Sequence, residues 1–218
     1  MAHVDDLLRA TRYLDFDEPS VAGFADRVVG DAVDPTVVAT RLFEAVRDEI
    51  RYDPYRISLA PDEMTASACL RRGYGFCVPK AVLLAAVARS RGIPARLGFA
   101  DVRNHLSTPK LLEQLGTDLF LWHGYVELSL DDRWLKTTPA FNRSLCERFG
   151  VLPLEFDGKA DALLHPFDSS GRRHMEYVGD HGTFDDLPLE RITAAYAAAY
   201  PAFDAIDGDF AAEARPGR

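Results

Sequence analysis

Cys77 closes the stretch Gly73-Tyr74-Gly75-Phe76-Cys77-Val78-Pro79-Lys80-Ala81, and the run from Ala81 to Ala88 behind it is apolar at every position. A helix apolar all round must be buried all round, so this one is expected to cross the middle of the domain. Pro79 suits its first turn, and Gly92 with Pro94 ends it. The cysteine therefore stands at the positive end of a buried helix, where unpaired N–H groups and the helix dipole favour thiolate over thiol. That is a place for a nucleophile. The plainer reading is a small buried hydrophobe, the usual fate of a free cysteine, and a basic partner elsewhere in the chain decides between them.

His123 is the candidate partner. It lies in a segment that alternates, with Trp122, Gly124, Val126, Leu128 and Leu130 on one face and His123, Tyr125, Glu127 and Ser129 on the other. Asp131-Asp132 reads as a turn, and Arg133 to Thr138 returns as the partner strand. A two-residue loop sets Glu127 opposite Lys136, which pairs opposite charges, and Tyr125 opposite Thr138. Thr138 then shares a face with His123. Pro139 ends the strand and Asn142 lies just beyond. A histidine base needs an acceptor to orient its ring, and Thr138 and Asn142 are equal candidates. Glu155, Asp157 and Glu176 are the alternative acids.

Other elements must hold these residues. Asp34 as N-cap and Pro35 at the first position open a helix with Val38, Leu42, Val46 and Ile50 on one face. A second helical segment, about 62 to 72, contains Cys69, which reads as core. Two short helical patterns precede them, the later one running from Pro19 to Gly30. After the central helix, residues 93 to 100 read as a strand and 101 to 117 as a polar loop containing His105. Residues 145 to 149 suggest a short helix, the remainder of 143 to 187 shows no periodicity, and 189 to 200 is an Ala-rich helix. The last eight residues are expected to fray.

With 34 acidic against 25 basic residues, the formal charge of −9 argues against nucleic acid or an anionic membrane as partner. No apolar run reaches the length of a membrane span, and no signal peptide is visible. Three cysteines without CxxC spacing fit a reducing compartment, so a cytoplasmic location is expected. His165, His174 and His181 do not have zinc-site spacing, and neither metal nor cofactor is expected.

Several pieces together resemble the transglutaminase-like superfamily of papain-like cysteine enzymes: residues 42 to 52, Gly75-Phe76-Cys77 with its helix, Gly92-Ile93-Pro94-Ala95-Arg96, and Trp122-His123-Gly124-Tyr125-Val126-Glu127-Leu128 followed by Arg133-Trp134-Leu135. The resemblance spans roughly residues 35 to 142. It implies an α+β fold in which a central buried helix carries the cysteine and packs on an antiparallel sheet. It also implies a Cys-His-Asp triad, with Cys77 as nucleophile and His123 as base. The family's aspartate usually precedes the proline after the Trp strand, and here that position is Thr138, which offers a neutral hydroxyl in place of a full charge.

One domain over residues 1 to 218 is expected, with 143 to 200 as an extension that shapes the substrate pocket. The expected function is acyl transfer or hydrolysis of an amide, ester or thioester in a small molecule or short peptide, through a Cys-His thiolate. Tyr74, Phe76 and Trp122 beside the catalytic pair, and His165, His174 and Tyr177 in the extension, are the candidate substrate contacts. The alternative is a catalytically silent binding protein on the same fold.

Overall fold

The computed structural model describes residues 4–104, 107–163, 175–200, 203 and 205–214. In chain order its elements are α1 (Pro19–Val29), α2 (Pro35–Glu49), β1 (Arg51–Tyr52), α3 (Ala66–Arg72), β2 (Tyr74–Gly75), α4 (Cys77–Ser90), β3 (Ala95–Asn104), α5 (Pro109–Leu115), β4 (Leu119–Leu130), β5 (Arg133–Thr137), α6 (Arg143–Phe149), β6 (Met175–Phe184), α7 (Leu189–Ala199) and α8 (Phe210–Glu213). This is the mixed helix-and-sheet architecture that the sequence implied. Strands β5, β4, β3 and β6 form, in that order, an antiparallel sheet, and β1 pairs with β2 in parallel. No helix among the described residues is long and apolar enough to cross a membrane.

Helix α4 is the centre. Every residue from Cys77 to Arg89 is buried, because β3 and β4 cover one side and α1, α2 and α3 the other. Two basic side chains inside this layer are used as ties. Lys80 Nζ donates to Arg47 O at 2.9 Å and Ile50 O at 2.5 Å, satisfying carbonyls that the end of α2 leaves open. Arg89 donates to Ala95 O, Arg9 O and Asp185 O. Helix α2 begins as its sequence demands: Asp34 Oδ1 accepts the N–H groups of Thr36 and Val37, and Val38, Leu42 and Val46 face inward.

The β4–β5 hairpin has the predicted register, with Glu127 opposite Lys136. Asp131 and Asp132 both adopt positive φ, 49° and 60°, the signature of the tight turn whose twist matches the strands. The buried Glu127 carboxylate is held by Arg96 at 2.5 Å and lies 3.7 Å from Lys136. Gly124, Val126, Leu128 and Leu130 turn toward the core, as their alternation requires; a Cβ at Gly124 would meet the backbone of α4 at Val78 Cα, 3.1 Å away.

Three regions differ from the sequence reading. The stretch 101 to 117 is not all loop: β3 continues to Asn104, and α5 opens on Thr108, whose hydroxyl accepts the Leu111 N–H. The aperiodic segment 143 to 187 contains β6, an edge strand in which Gly179 and Gly182 hide the usual strand composition. Of the last eight residues, expected to fray, 211 to 213 lie in α8, and 215 to 218 lie outside the described residues. Phe210 is buried in an aromatic cluster with Tyr52, Phe141 and Phe149, and Asp209 caps α8.

Candidate active site

The parallel β1–β2 pair brings the chain to Phe76, and Cys77 begins α4. Cys77 and His123 border the same cavity of about 30 Å³. Its walls are almost entirely apolar or aromatic. Tyr52, Pro54 and Ile57 come from the segment after α2, Leu115, Phe120 and Leu121 from α5 and β4, and Tyr196 with Tyr200 from the end of α7. The Tyr200 hydroxyl donates to Leu119 O and accepts the Leu121 N–H, both at 2.7 Å, so the end of α7 is tied to the start of β4.

The sulfur of Cys77 faces three backbone donors, the N–H groups of Gly124, Val78 and Cys77 itself. They favour thiolate, as a helix start should. Burial opposes them and wins: the Cys77 thiol is pushed up to about 11. The sequence reading of a depressed thiol is therefore corrected for the free protein. The helix N-terminus was legible, but the wall that dries it comes from distant parts of the chain. His123 is pulled down to about 4 by burial alone, so its ring is neutral at pH 7. Its Nδ1 is buried without a hydrogen-bond partner. The resting pair is thiol and imidazole.

Asn142 does not turn to this pair. Its Oδ1 accepts the Tyr52 N–H at 3.1 Å and its Nδ2 donates to Ser144 Oγ at 2.8 Å, which secures β1 to the start of α6. Thr138 is buried beyond the last residue of β5, and its hydroxyl forms no well-aligned hydrogen bond, although the Tyr177 phenol is close enough to sense it. The three acids held in reserve are engaged elsewhere. Glu155 bridges Arg47 and Arg143, Asp157 accepts the N–H groups of Lys159 and Ala160, and Glu176 reaches Arg103.

Among the candidate substrate contacts, Phe76 borders the Cys77 cavity. Tyr74 does not; its ring is surrounded by the guanidinium groups of Arg51, Arg56 and Arg72 at 5.0 to 5.8 Å. Trp122 is packed against Phe99, Phe184 and His181. Tyr177 lines a different cavity, about 310 Å³, with Tyr125 and Lys136. His105, His165 and His174 lie outside the described residues. Cys69 and Cys146 are buried, their thiols both pushed up to about 12 by burial. No cluster of three or more His, Cys, Asp or Glu side chains that could hold a metal ion occurs among the described residues.

Sequence reasoning missed Gly124, Tyr196 and Tyr200. Gly124 had a signal: a glycine directly after a candidate base, in a strand interior, marks a close backbone approach. The two tyrosines had none, because only the tertiary fold brings α7 over Cys77.

A family model described as the transglutaminase-like superfamily matches residues 22–139. A crystal structure of a "putative cysteine protease" from Cytophaga hutchinsonii aligns with a TM-score of 0.52 at 16% identity, covering 90% of this chain and 49% of that one. A "putative protease" from Parabacteroides distasonis aligns with a TM-score of 0.40 at 17% identity, over 61% of this chain and 26% of that one. The chain thus spans about half the length of the first of these structures. No curated protein matches it.

Proposed function

The chain belongs to the transglutaminase-like superfamily, and on that premise we propose that it is a cysteine enzyme that transfers or hydrolyses the acyl group of an amide, ester or thioester. One observation carries the reading: Cys77 and His123, far apart in sequence, border one desolvated cavity at the start of the central helix, with three backbone N–H groups turned to the sulfur.

In the proposed reaction neutral His123 takes the thiol proton as the sulfur attacks the carbonyl carbon. The C–S bond forms and the carbonyl π pair moves onto oxygen. The Cys77 N–H and the Gly124 N–H are the donors for that oxyanion. Collapse of the intermediate expels the amine, alcohol or thiol, which His123 protonates, and water or an amine then cleaves the acyl-enzyme. Because the resting pair is neutral, proton transfer accompanies attack and no preformed ion pair is required. Thr138 is the candidate orienting acceptor, since its hydroxyl is buried and without a well-formed bond; Asn142 is assigned to holding β1. The apolar lining favours an uncharged acyl group of a small molecule or short peptide, and residues 143 to 200 contribute Tyr196 and Tyr200 to it. Three unpaired cysteines fit a cytoplasmic site of action.

p-Nitrophenyl acetate tests this reading. The expected result is p-nitrophenol release with an acetyl group located on Cys77 by peptide mass spectrometry. Acetylation is lost in Cys77→Ala, reduced strongly in His123→Ala, and retained in Cys69→Ala and Cys146→Ala. Unchanged turnover in Cys77→Ala overturns the proposal. An unreactive parent protein favours the second reading, a silent binding scaffold, for which the missing family aspartate at Thr138 is the specific observation.

A further inference from the structure

Trp122, immediately before the candidate base, has φ of 53°, a left-handed conformation that a bulky side chain rarely adopts. It sits in a β-bulge. His123 is opposite Ala100 on β3, yet Phe120 is opposite Val102, so β4 carries one residue too many between the two pairs. The bulge has a consequence for side-chain direction. Phe120 and His123 are an odd number of positions apart, and strict alternation would send them to opposite faces. With the extra residue they fall opposite Ala100 and Val102, which share a face, and both border the Cys77 cavity.

Two side chains outside the cavity hold this irregularity. Asp101 Oδ1, on β3 at the register shift, accepts the Trp122 N–H at 3.0 Å, and His181 Nε2 is 2.7 Å from the same oxygen. The His181 ring stacks on the Trp122 indole, centroids 4.2 Å apart and planes 4° from parallel. His181 itself is an extra residue in β6, since Ala100 pairs with Asp180 and Phe99 with Gly182. The extra residues of β4 and β6 therefore meet at one carboxylate oxygen of β3, the strand between them. A free strand would relax from such a conformation, and the contacts that prevent it are these.

We propose that Asp101 and His181 are positioning residues for the reaction: together they lock Trp122 in its left-handed conformation and so aim His123 into the cavity of Cys77. The inference rests on the reading of His123 as the base. It assigns a role to a His–Asp pair that touches neither the sulfur nor the cavity. It also explains how β4 keeps its histidine directed when Thr138, after β5, stands at the position of the family's aspartate: the backbone before the ring is fixed.

Two readouts test it, the imidazole titration of His123 by NMR and the acetylation of Cys77 by p-nitrophenyl acetate. The titratable side chains bordering the cavity with His123 are Tyr52, Cys77, Tyr196 and Tyr200, and none of them is altered. In the parent, His123 is expected to titrate near 4. In Asp101→Ala the ring leaves the dry cavity, its titration moves toward the ordinary value of about 6.5, and acetylation falls by about tenfold to a hundredfold. Asp101→Asn, whose amide oxygen still accepts the Trp122 N–H, keeps both near the parent. His181→Ala, at a partly exposed site, remains folded and shows a smaller change in the same directions, which keeps the proposal open to refutation if Asp101→Ala does not fold. The proposal is overturned if folded Asp101→Ala, or His181→Ala, leaves both readouts at the parent values. Failure of the underlying reading is distinguishable: acetylation in His123→Ala then equals the parent, and the positioning role falls with it.

Discussion

The backbone N–H of Gly124 is turned to the sulfur of Cys77, so β4 supplies the thiol with a donor from outside its own helix. Glycine permits the approach. The two elements touch backbone to backbone there, and a side chain would press on Val78 Cα and Cys77 O.

Gly124→Ala tests that contact. The new Cβ would lie 3.1 Å from Val78 Cα and 3.3 Å from Cys77 O, atoms that cannot swing aside. The variant is expected to lose about 1–3 kcal/mol in urea denaturation, and acetylation of Cys77 by p-nitrophenyl acetate should drop with it. Parent-like values in both measurements would show that β4 can retreat from α4 without consequence.

His123 predicts an acid limb of stability. Its folded-state value of about 4 lies below the ordinary one, so between these limits the unfolded chain binds a proton that the folded protein refuses. Stability therefore falls as pH drops from about 6.5 to about 4, by about 1.4 kcal/mol per unit from this residue. His123→Phe, which cannot titrate, should flatten the limb. Urea midpoints across the window measure it, and equal slopes in parent and variant would place His123 in water.

Lys80 predicts a limb on the alkaline side. Burial pulls its amine down to about 7, so from there to its ordinary value near 10.5 the unfolded chain holds the extra proton and stability rises with pH. Lys80→Met removes that rise and leaves Arg47 O and Ile50 O without their donor, a loss of about 1–3 kcal/mol for each buried orphan. Thermal melts of both proteins from pH 7 to 10 (roughly the window set by these values) should diverge.

Asp132→Gly is expected to stabilise. The φ of 60° at Asp132 is costly for a residue with a Cβ and natural for glycine, and Asp-Gly is the preferred pair for this turn. A gain of about 0.5 kcal/mol is expected. A loss would mean that the Asp132 side chain contributes to the turn in a way its backbone conformation does not reveal.

Much of this was legible where the determinants are local. The all-apolar run after Cys77, the Asp34-Pro35 start of α2 and the Asp131-Asp132 turn each declare themselves over a few residues, and the hairpin register followed from pairing Glu127 with Lys136. The pairing of Cys77 with His123 at one cavity was readable by position. The charge state of the two was not, because the residues that dry Cys77 arrive from α5, β4 and α7, and burial outweighs the helix start that the sequence displays. The bulge at Trp122 was equally hidden. It depends on a carboxylate in β3 and an imidazole in β6, and a strand containing Trp122 and His123 reads as regular when taken alone. Asn142 illustrates the opposite error: proximity in sequence to the end of β5 suggested a role beside His123, while its amide faces β1.

The tie between Tyr200 and β4 also bears on the order in which the protein is made. Cys77 and His123 leave the ribosome well before α7, so a nascent chain can hold both before the aromatic wall exists. Until Tyr200 reaches Leu119 and Leu121 one side of the cavity is open, and the burial that raises the thiol is incomplete. Less burial leaves the sulfur more acidic and more open to oxidants than in the finished molecule, and the docking of Tyr200 on β4 completes its burial.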